Sequence, residues 1–149
     1  PVMQAAVDPG DPIGFATRVL QKRLRGGLPP HLLLTAALGD YSVPNEASAD
    51  LARALELPVL GTDHVGVGLV DIVPSGPLGG NLGDGVTGAF FQMDRVSTGE
   101  AGVESANHDN ATWAPEPRLQ LEHFLETWLE GGVPEIIDPY GALGTPALP

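Results

Sequence analysis

One uninterrupted apolar stretch constrains the fold more than any other part of this sequence. Residues 31–38 read His-Leu-Leu-Leu-Thr-Ala-Ala-Leu; Pro29-Pro30 precedes the run and Gly39-Asp40 closes it. A short apolar run without polar alternation, bounded by turn residues, predicts a β-strand buried on both faces, as in a parallel sheet. A buried helix segment is the alternative, but the flanking prolines and glycine favour the strand. The first expectation is therefore an α/β fold.

Further elements support that class. A helix is expected over residues 45–55, with Asn45 as its N-cap, which makes residues 31–60 a strand–turn–helix unit. A second buried strand is expected at 89–93. The segment from Pro117 to Glu130 predicts a closing amphipathic helix with a core-facing stripe. Its members recur at the i, i+3, i+4 and i+7 positions of a helix: Leu121, Phe124, Leu125 and Trp128.

The remaining segments carry weaker patterns. Residues 1–30 read as a cap-like or connecting segment with a short helix from Gly14 to Leu24. Residues 61–88 are rich in glycine and read as an insertion with a short strand at 65–70. Residues 133–149 form a proline- and glycine-rich tail with little to pack. The length of the whole chain, 1–149, suits one domain, with the last strand, a histidine-bearing loop and the closing helix at 89–132.

Composition excludes several classes of function. The formal net charge is −12, from 19 acidic and 7 basic residues, so binding to nucleic acid is disfavoured because it needs cationic contacts to displace counterions. Cysteine is absent, which removes disulfides, thiol catalysis and thiolate metal sites. No run approaches the roughly 20 apolar residues of a transmembrane span. The acidic, lysine-poor composition favours a secreted or periplasmic location without fixing one.

Two polar positions stand out against this frame. Asp40 follows the first strand directly, in Leu38-Gly39-Asp40-Tyr41-Ser42-Val43-Pro44, and ligands gather at the carboxyl ends of strands in open α/β sheets. His108 lies in the polar stretch Asn107-His108-Asp109-Asn110, between a strand and the last helix. The structural alternatives are an aspartate that caps a turn and a histidine that is exposed and idle.

Taken together, the two positions resemble the last third of an α/β-hydrolase of the bacterial lipase and esterase kind. The resemblance rests on strand–Gly–Asp–x–x–Val–Pro–helix around Asp40, followed by a strand, a loop histidine and a closing helix. It implies a serine hydrolase acting on small carboxylic esters through an acyl-enzyme, with no metal or organic cofactor. Asp40 would orient His108, and His108 would take the proton of the serine.

Two departures accompany the resemblance. No serine stands in a Gly-x-Ser-x-Gly elbow, so the nucleophile is expected on an N-terminal segment outside this chain, such as a cleaved chain of the same precursor. That segment would also complete the sheet. The acid and the histidine are further apart in sequence than is usual in the family, which leaves other acids open as partners of the histidine. They are Asp63, Asp71 and Asp84.

A second class of function stays open: a non-catalytic acidic α/β module that binds a ligand or partner. Calcium held by carbonyl groups of the loop Asn81–Asp84 would suit such a module. Asp63-His64 and His108-Asp109 could each contribute to a metal site, although neither belongs to an i, i+4 histidine pair. Gly66-x-Gly68 lacks the third glycine and the following helix of a dinucleotide fingerprint.

Overall fold

The computed structural model describes residues 10–23, 27–99 and 102–149 as a mixed α/β fold. The strands, in chain order, are β1 Leu32–Ala37, β2 Val59–Leu60, β3 Ile72–Val73, β4 Leu78–Gly79, β5 Gly88–Met93, β6 Arg95–Thr98, β7 Gly102–Ser105 and β8 Glu135–Ile136. The α-helices are α1 Ile13–Ala16, α2 Asn45–Leu55, α3 Pro115–Gly131 and α4 Pro139–Leu143.

Four strands form a parallel sheet in the order β1-β5-β2-β3. The pairing of β1 with β5 covers all six residues of each strand, and every residue of β5 is buried. Phe90 packs on one face of the sheet in a cluster with α2, while Phe91 and Met93 pack on the other face, towards α3 and α4. β5 is therefore confirmed as a strand buried on both faces, which needs a continuous apolar sequence. β1 is confirmed as a strand, but Thr35 in it is exposed and only Ala37 is buried, so the expected burial on both faces is wrong for β1.

The helix after β1 is also confirmed, over Asn45–Leu55, but its expected cap is wrong. Pro44 occupies the N-cap position and no side chain caps the helix. The Asn45 side chain instead turns back and donates a hydrogen bond to the carbonyl of Leu38 at 2.8 Å. The asparagine therefore ties the start of α2 to the end of β1.

The closing helix is longer than predicted and less buried. It begins at Pro115 and ends at Gly131, followed by Gly132 at φ 75°, a left-handed C-cap. Phe124 packs against the core cluster, but Trp128 is 48% exposed, so the expected Phe124–Trp128 core pair is wrong. The apolar residues do lie on one helix with the expected spacing. Leu121, Leu125 and Trp128 nevertheless stay exposed, because no other described residue packs over them.

Three other expectations change. Residues 65–70 form a loop, because Gly66 and Gly68 adopt positive φ angles of 71° and 63° that no extended strand contains. The first helix is only the single turn α1, and the end of the predicted helix, Leu24, lies outside the described residues. The tail does pack: β8 pairs with β4 and buries Ile136 completely, and α4 follows it.

Candidate active site

A tight turn at the carboxyl end of β1 fixes the carboxylate of Asp40. One carboxylate oxygen, Oδ1, accepts the backbone N–H groups of Ser42 at 2.7 Å and Val43 at 3.0 Å. An aspartate that binds the backbone two and three residues ahead is a common way to close such a turn. The capping role considered from sequence is therefore real, and it leaves the second oxygen, Oδ2, available.

The loop that carries His108 is held by two asparagines. The Asn107 side chain accepts the N–H groups of Asp109 and Asn110, and the Asn110 side chain accepts the N–H of Asn107 at 2.8 Å. The Asn110 amide also donates to the carbonyl of Ser105 at 3.0 Å. Because these bonds satisfy the backbone locally, the loop keeps one shape while its histidine side chain remains 48% exposed.

Gly39 allows the two loops to meet. Its N–H donates to the carbonyl of Ala106 at 2.8 Å, and a Cβ at residue 39 would lie only 2.6 Å from that carbonyl oxygen. Any side chain here would force the end of β1 away from the segment that leads into His108. The glycine before Asp40 in the sequence motif thus has a packing reason.

The two candidate side chains are hydrogen-bonded to each other. His108 Nδ1 lies 3.0 Å from Asp40 Oδ2, and the Asp40 side chain is 14% exposed. An Nδ1–H donated to a carboxylate selects the tautomer whose Nε2 carries the basic lone pair. The ring of Tyr41 lies beside the imidazole, with its centroid 6.2 Å away.

The electrostatics follow from this geometry. The hydrogen bond to Asp40 raises the pKa of His108 above its ordinary 6.5, and the negative charges of Asp40 and Asp109 act in the same direction. The pKa of Asp40 is held below its ordinary 3.8, first by the hydrogen bond from the Val43 N–H and then by the one from His108. The pair is therefore a carboxylate next to an imidazole made more basic than usual.

The alternative acids lie elsewhere. The carboxylate of Asp63 accepts the N–H groups of Gly66 and Val67 and the side-chain amide of Gln92, which closes its own loop. Neither Asp71 nor Asp84 forms a hydrogen bond with His108. Within residues 10–23, 27–99 and 102–149, Asp40 is the hydrogen-bond partner of the imidazole.

The pair lines an open pocket of about 240 Å³. Three hydroxyl side chains line it together with Asp40 and His108, namely Thr35, Ser48 and Thr112. In the part of the chain that the structure describes, none of them forms a hydrogen bond with the imidazole. A nucleophile and its base need to lie within hydrogen-bond reach, so this arrangement supplies an acid–base pair that the described hydroxyls do not complete.

Two buried polar side chains went unnoticed at the level of sequence. Glu116, fully buried in the first turn of α3, accepts the N–H and hydroxyl of Ser97 and the hydroxyl of Thr145. Burial acts to raise the pKa of Glu116, but these hydrogen bonds outweigh it and hold the pKa below 4.5. Gln92 in β5 accepts the N–H of His64 at 2.8 Å. The sequence did contain a signal for each: Glu116 stands between two prolines, and Gln92 interrupts an apolar run.

The candidate metal positions do not assemble. Among the described residues no group of three or more histidine, aspartate or glutamate side chains is arranged to hold a metal ion. The Asn81 side chain both donates to and accepts from the backbone of Gly88, so it fastens its loop to the start of β5. His123, on α3, is partly buried, and its Nε2 lies 3.3 Å from Glu135 Oε2.

Comparisons of the chain with protein-family models, with curated proteins and with solved structures give no match. No helix in the described part of the chain is long and apolar enough to cross a membrane.

Proposed function

We propose that this chain supplies the acid and the base of a Ser-His-Asp hydrolase that acts on carboxylic esters. The observation that carries the proposal is the 3.0 Å hydrogen bond between His108 Nδ1 and Asp40 Oδ2 at the carboxyl end of a parallel sheet. The resemblance implied this contact, although the residues around each position do not indicate it by themselves. Their contact has the geometry by which a carboxylate orients a catalytic imidazole.

The order of the strands adds support. β1, which leads to Asp40, pairs directly with β5, which leads to the segment carrying His108. The resemblance to an α/β-hydrolase implies neighbouring strands for the acid and the histidine. Two features are additional to that pattern: the β6–β7 hairpin stands between β5 and His108, and β2 and β3 extend the sheet beyond β5.

In the proposed reaction a serine from a partner segment attacks the ester carbonyl while His108 Nε2 removes the serine proton. The tetrahedral intermediate collapses, and the imidazolium returns that proton to the departing alcohol. Water then hydrolyses the acyl-enzyme by the same two proton transfers, so the serine and the imidazole are regenerated. Asp40 stabilises the imidazolium and stays ionised throughout, in keeping with a pKa held below its ordinary 3.8.

The test uses a fluorophosphonate probe on the protein purified from its own cells with any segment that stays bound. We expect labelling of a serine on that segment, and loss of labelling by about 10⁴-fold or more when His108→Ala is introduced. His123→Ala is the matched control, because that imidazole also lies beside a carboxylate, 3.3 Å from Glu135, but outside the pocket. Labelling that survives in His108→Ala would remove the histidine from the mechanism.

A further inference from the structure

The parallel sheet has an open edge at β1. Leu32 and Leu38 donate their N–H groups to β5, so the alternation of a strand turns the N–H groups of Leu33, Thr35 and Ala37 the other way. Among the described residues no other strand pairs with this side of β1, where only the Ala37 carbonyl is occupied, by the N–H of Asp40 at 3.1 Å. An apolar edge of six residues without a charged side chain is an unprotected pairing surface, whereas parallel sheets are normally covered.

The same edge borders an apolar face of α3. Leu121, Leu125 and Trp128 are each between 42% and 51% exposed and follow helical spacing. A groove of about 400 Å³ lies between Leu121 and Leu125 on the helix and Leu33 on the strand. Large aliphatic and aromatic side chains in one exposed stripe mark an interaction surface rather than a solvated helix face.

This groove is continuous with the candidate active site. Three residues line both the groove and the pocket around His108: Thr35, Ala111 and Thr112. One end of an extended polypeptide bound along the β1 edge would therefore lie beside the imidazole of His108.

We propose that the β1 edge and the α3 stripe receive one β-strand of the partner segment, parallel to β1, with apolar side chains in the groove. This inference rests on the proposed function. The outward N–H groups of alternate residues, and the outward carbonyls of Leu33 and Thr35, are matched by an extended backbone. A parallel strand brings its carboxyl end to Asp40 and His108, where the residues after it can present a hydroxyl.

A second copy of this chain fits the edge less well. Two-fold pairing of β1 with itself is antiparallel and would bring residues 28–31, Leu-Pro-Pro-His, to the site, and these carry no hydroxyl. The net charge of −12 would also be doubled. Arg118 lines the groove and pairs with Glu122 at 3.3 Å, while Glu126 and Glu130 stand further along the same helix. The partner strand is therefore apolar within the groove, and a basic side chain suits it only where it nears Glu126 and Glu130.

Photo-crosslinking tests the proposal in the protein as its own cells make it. A photo-reactive amino acid is placed in turn at residues 33 and 35 of β1 and at 121 and 125 of α3, with residue 72 on the opposite sheet edge as control. We expect crosslinks from the first four positions to one segment of another polypeptide. The site reached from 35 should follow the site reached from 33 in the direction of that segment's carboxyl end. The control position should give none.

Two variants sharpen the result. Thr35→Pro removes an outward N–H while the bonds of β1 to β5 remain, and we expect crosslinking from residue 125 to fall by about tenfold or more. Leu125→Glu should reduce crosslinking from residue 35 in the same way. The fold should tolerate this substitution, because Leu125 lies on an exposed helix face. Ile72→Pro on the far edge should leave both unchanged.

Four outcomes overturn the proposal: crosslinks in the reverse order, crosslinks to a second copy, crosslinks to residues 1–9 of the same chain, or no crosslinks. The two proposals fail separately. Ordered crosslinks without serine labelling keep the docked strand and remove the hydrolase, whereas labelling that depends on His108 without crosslinks at β1 keeps the hydrolase and removes this docking site.

Discussion

Replacing Gly39 by alanine tests whether the close approach of two loops sets the geometry of the candidate site. The new Cβ would lie 2.6 Å from the carbonyl oxygen of Ala106, whereas ordinary contact begins at 3.4 Å. The two backbones must therefore separate by about 0.8 Å, because neither is a flexible side chain that can rotate away. The 2.8 Å hydrogen bond from the Gly39 N–H to Ala106 would lengthen with them.

The same shift acts on the Asp40–His108 pair. A separation of about 0.8 Å along their hydrogen bond, now 3.0 Å, carries Nδ1 and Oδ2 beyond the roughly 3.5 Å at which such a bond is lost. Overpacking of this kind costs about 2 kcal/mol of unfolding free energy, or about 4–8 °C in Tm for a chain of this length. Without its largest cause, the raised pKa of His108 should fall towards 6.5.

Thermal unfolding followed by circular dichroism gives the first quantity, and NMR titration of the His108 ring gives the second. Gly83→Ala is the matched control, since its Cβ would meet nothing within 4 Å. It should leave both Tm and the His108 pKa unchanged. If Gly39→Ala keeps its Tm within about 1 °C and its histidine titrates as before, the close approach does not position the pair.

Two further predictions concern charge. Asp40→Asn should lower the His108 pKa, measured by NMR, and the control Asp71→Asn should not. Because the native pKa of His108 is raised, the His108–Asp40 contact stabilises the fold below pH 6.5, and this contribution is lost as the pH rises through the raised pKa. Glu116→Gln places an N–H₂ donor among three groups that already donate to the carboxylate, and it should lower the free energy of unfolding, measured in urea, by about 3 kcal/mol. The control Glu122→Gln, at an exposed position, should lower it by under about 0.5 kcal/mol. Because its native pKa is lowered, the Glu116 contribution holds above pH 4.5 and is lost on acidification. A Glu116→Gln protein that loses as much stability over that range as the unaltered protein would contradict the assignment.

The long elements were predictable from local pattern. The two apolar strands and the helices at 45–55 and 115–131 follow from runs and periods that depend only on neighbouring residues. The strand expected at 65–70 failed because alternation of valine with glycine looks extended, while the glycines there turn with positive φ. The exposed stripe of α3 shows a second limit of prediction from sequence. Apolar residues at helical spacing predict an apolar helix face, but they do not identify what packs against that face.

The candidate site was predictable in part. Asp40 could be chosen because a carboxylate after a buried strand stands at the carboxyl edge of the sheet. Its meeting with His108 is a tertiary event, and the features that secure it are non-local. Gly39 matters only because Ala106 lies against it, and Glu116 only because Ser97 and Thr145 converge on it. No reading of neighbouring residues reveals such partners.

The two carboxylate oxygens of Asp40 have different hydrogen-bond partners, and this limits which residues can replace Asp40. Many enzymes gain stability when a functional side chain is replaced, because active sites are kept at some expense to the fold. Here Oδ1 closes the turn through Ser42 and Val43 while Oδ2 holds the imidazole. Under the proposed function, selection for a more stable fold and selection for a correctly oriented imidazole would therefore favour the same residue, and glutamate, one methylene longer, would serve neither.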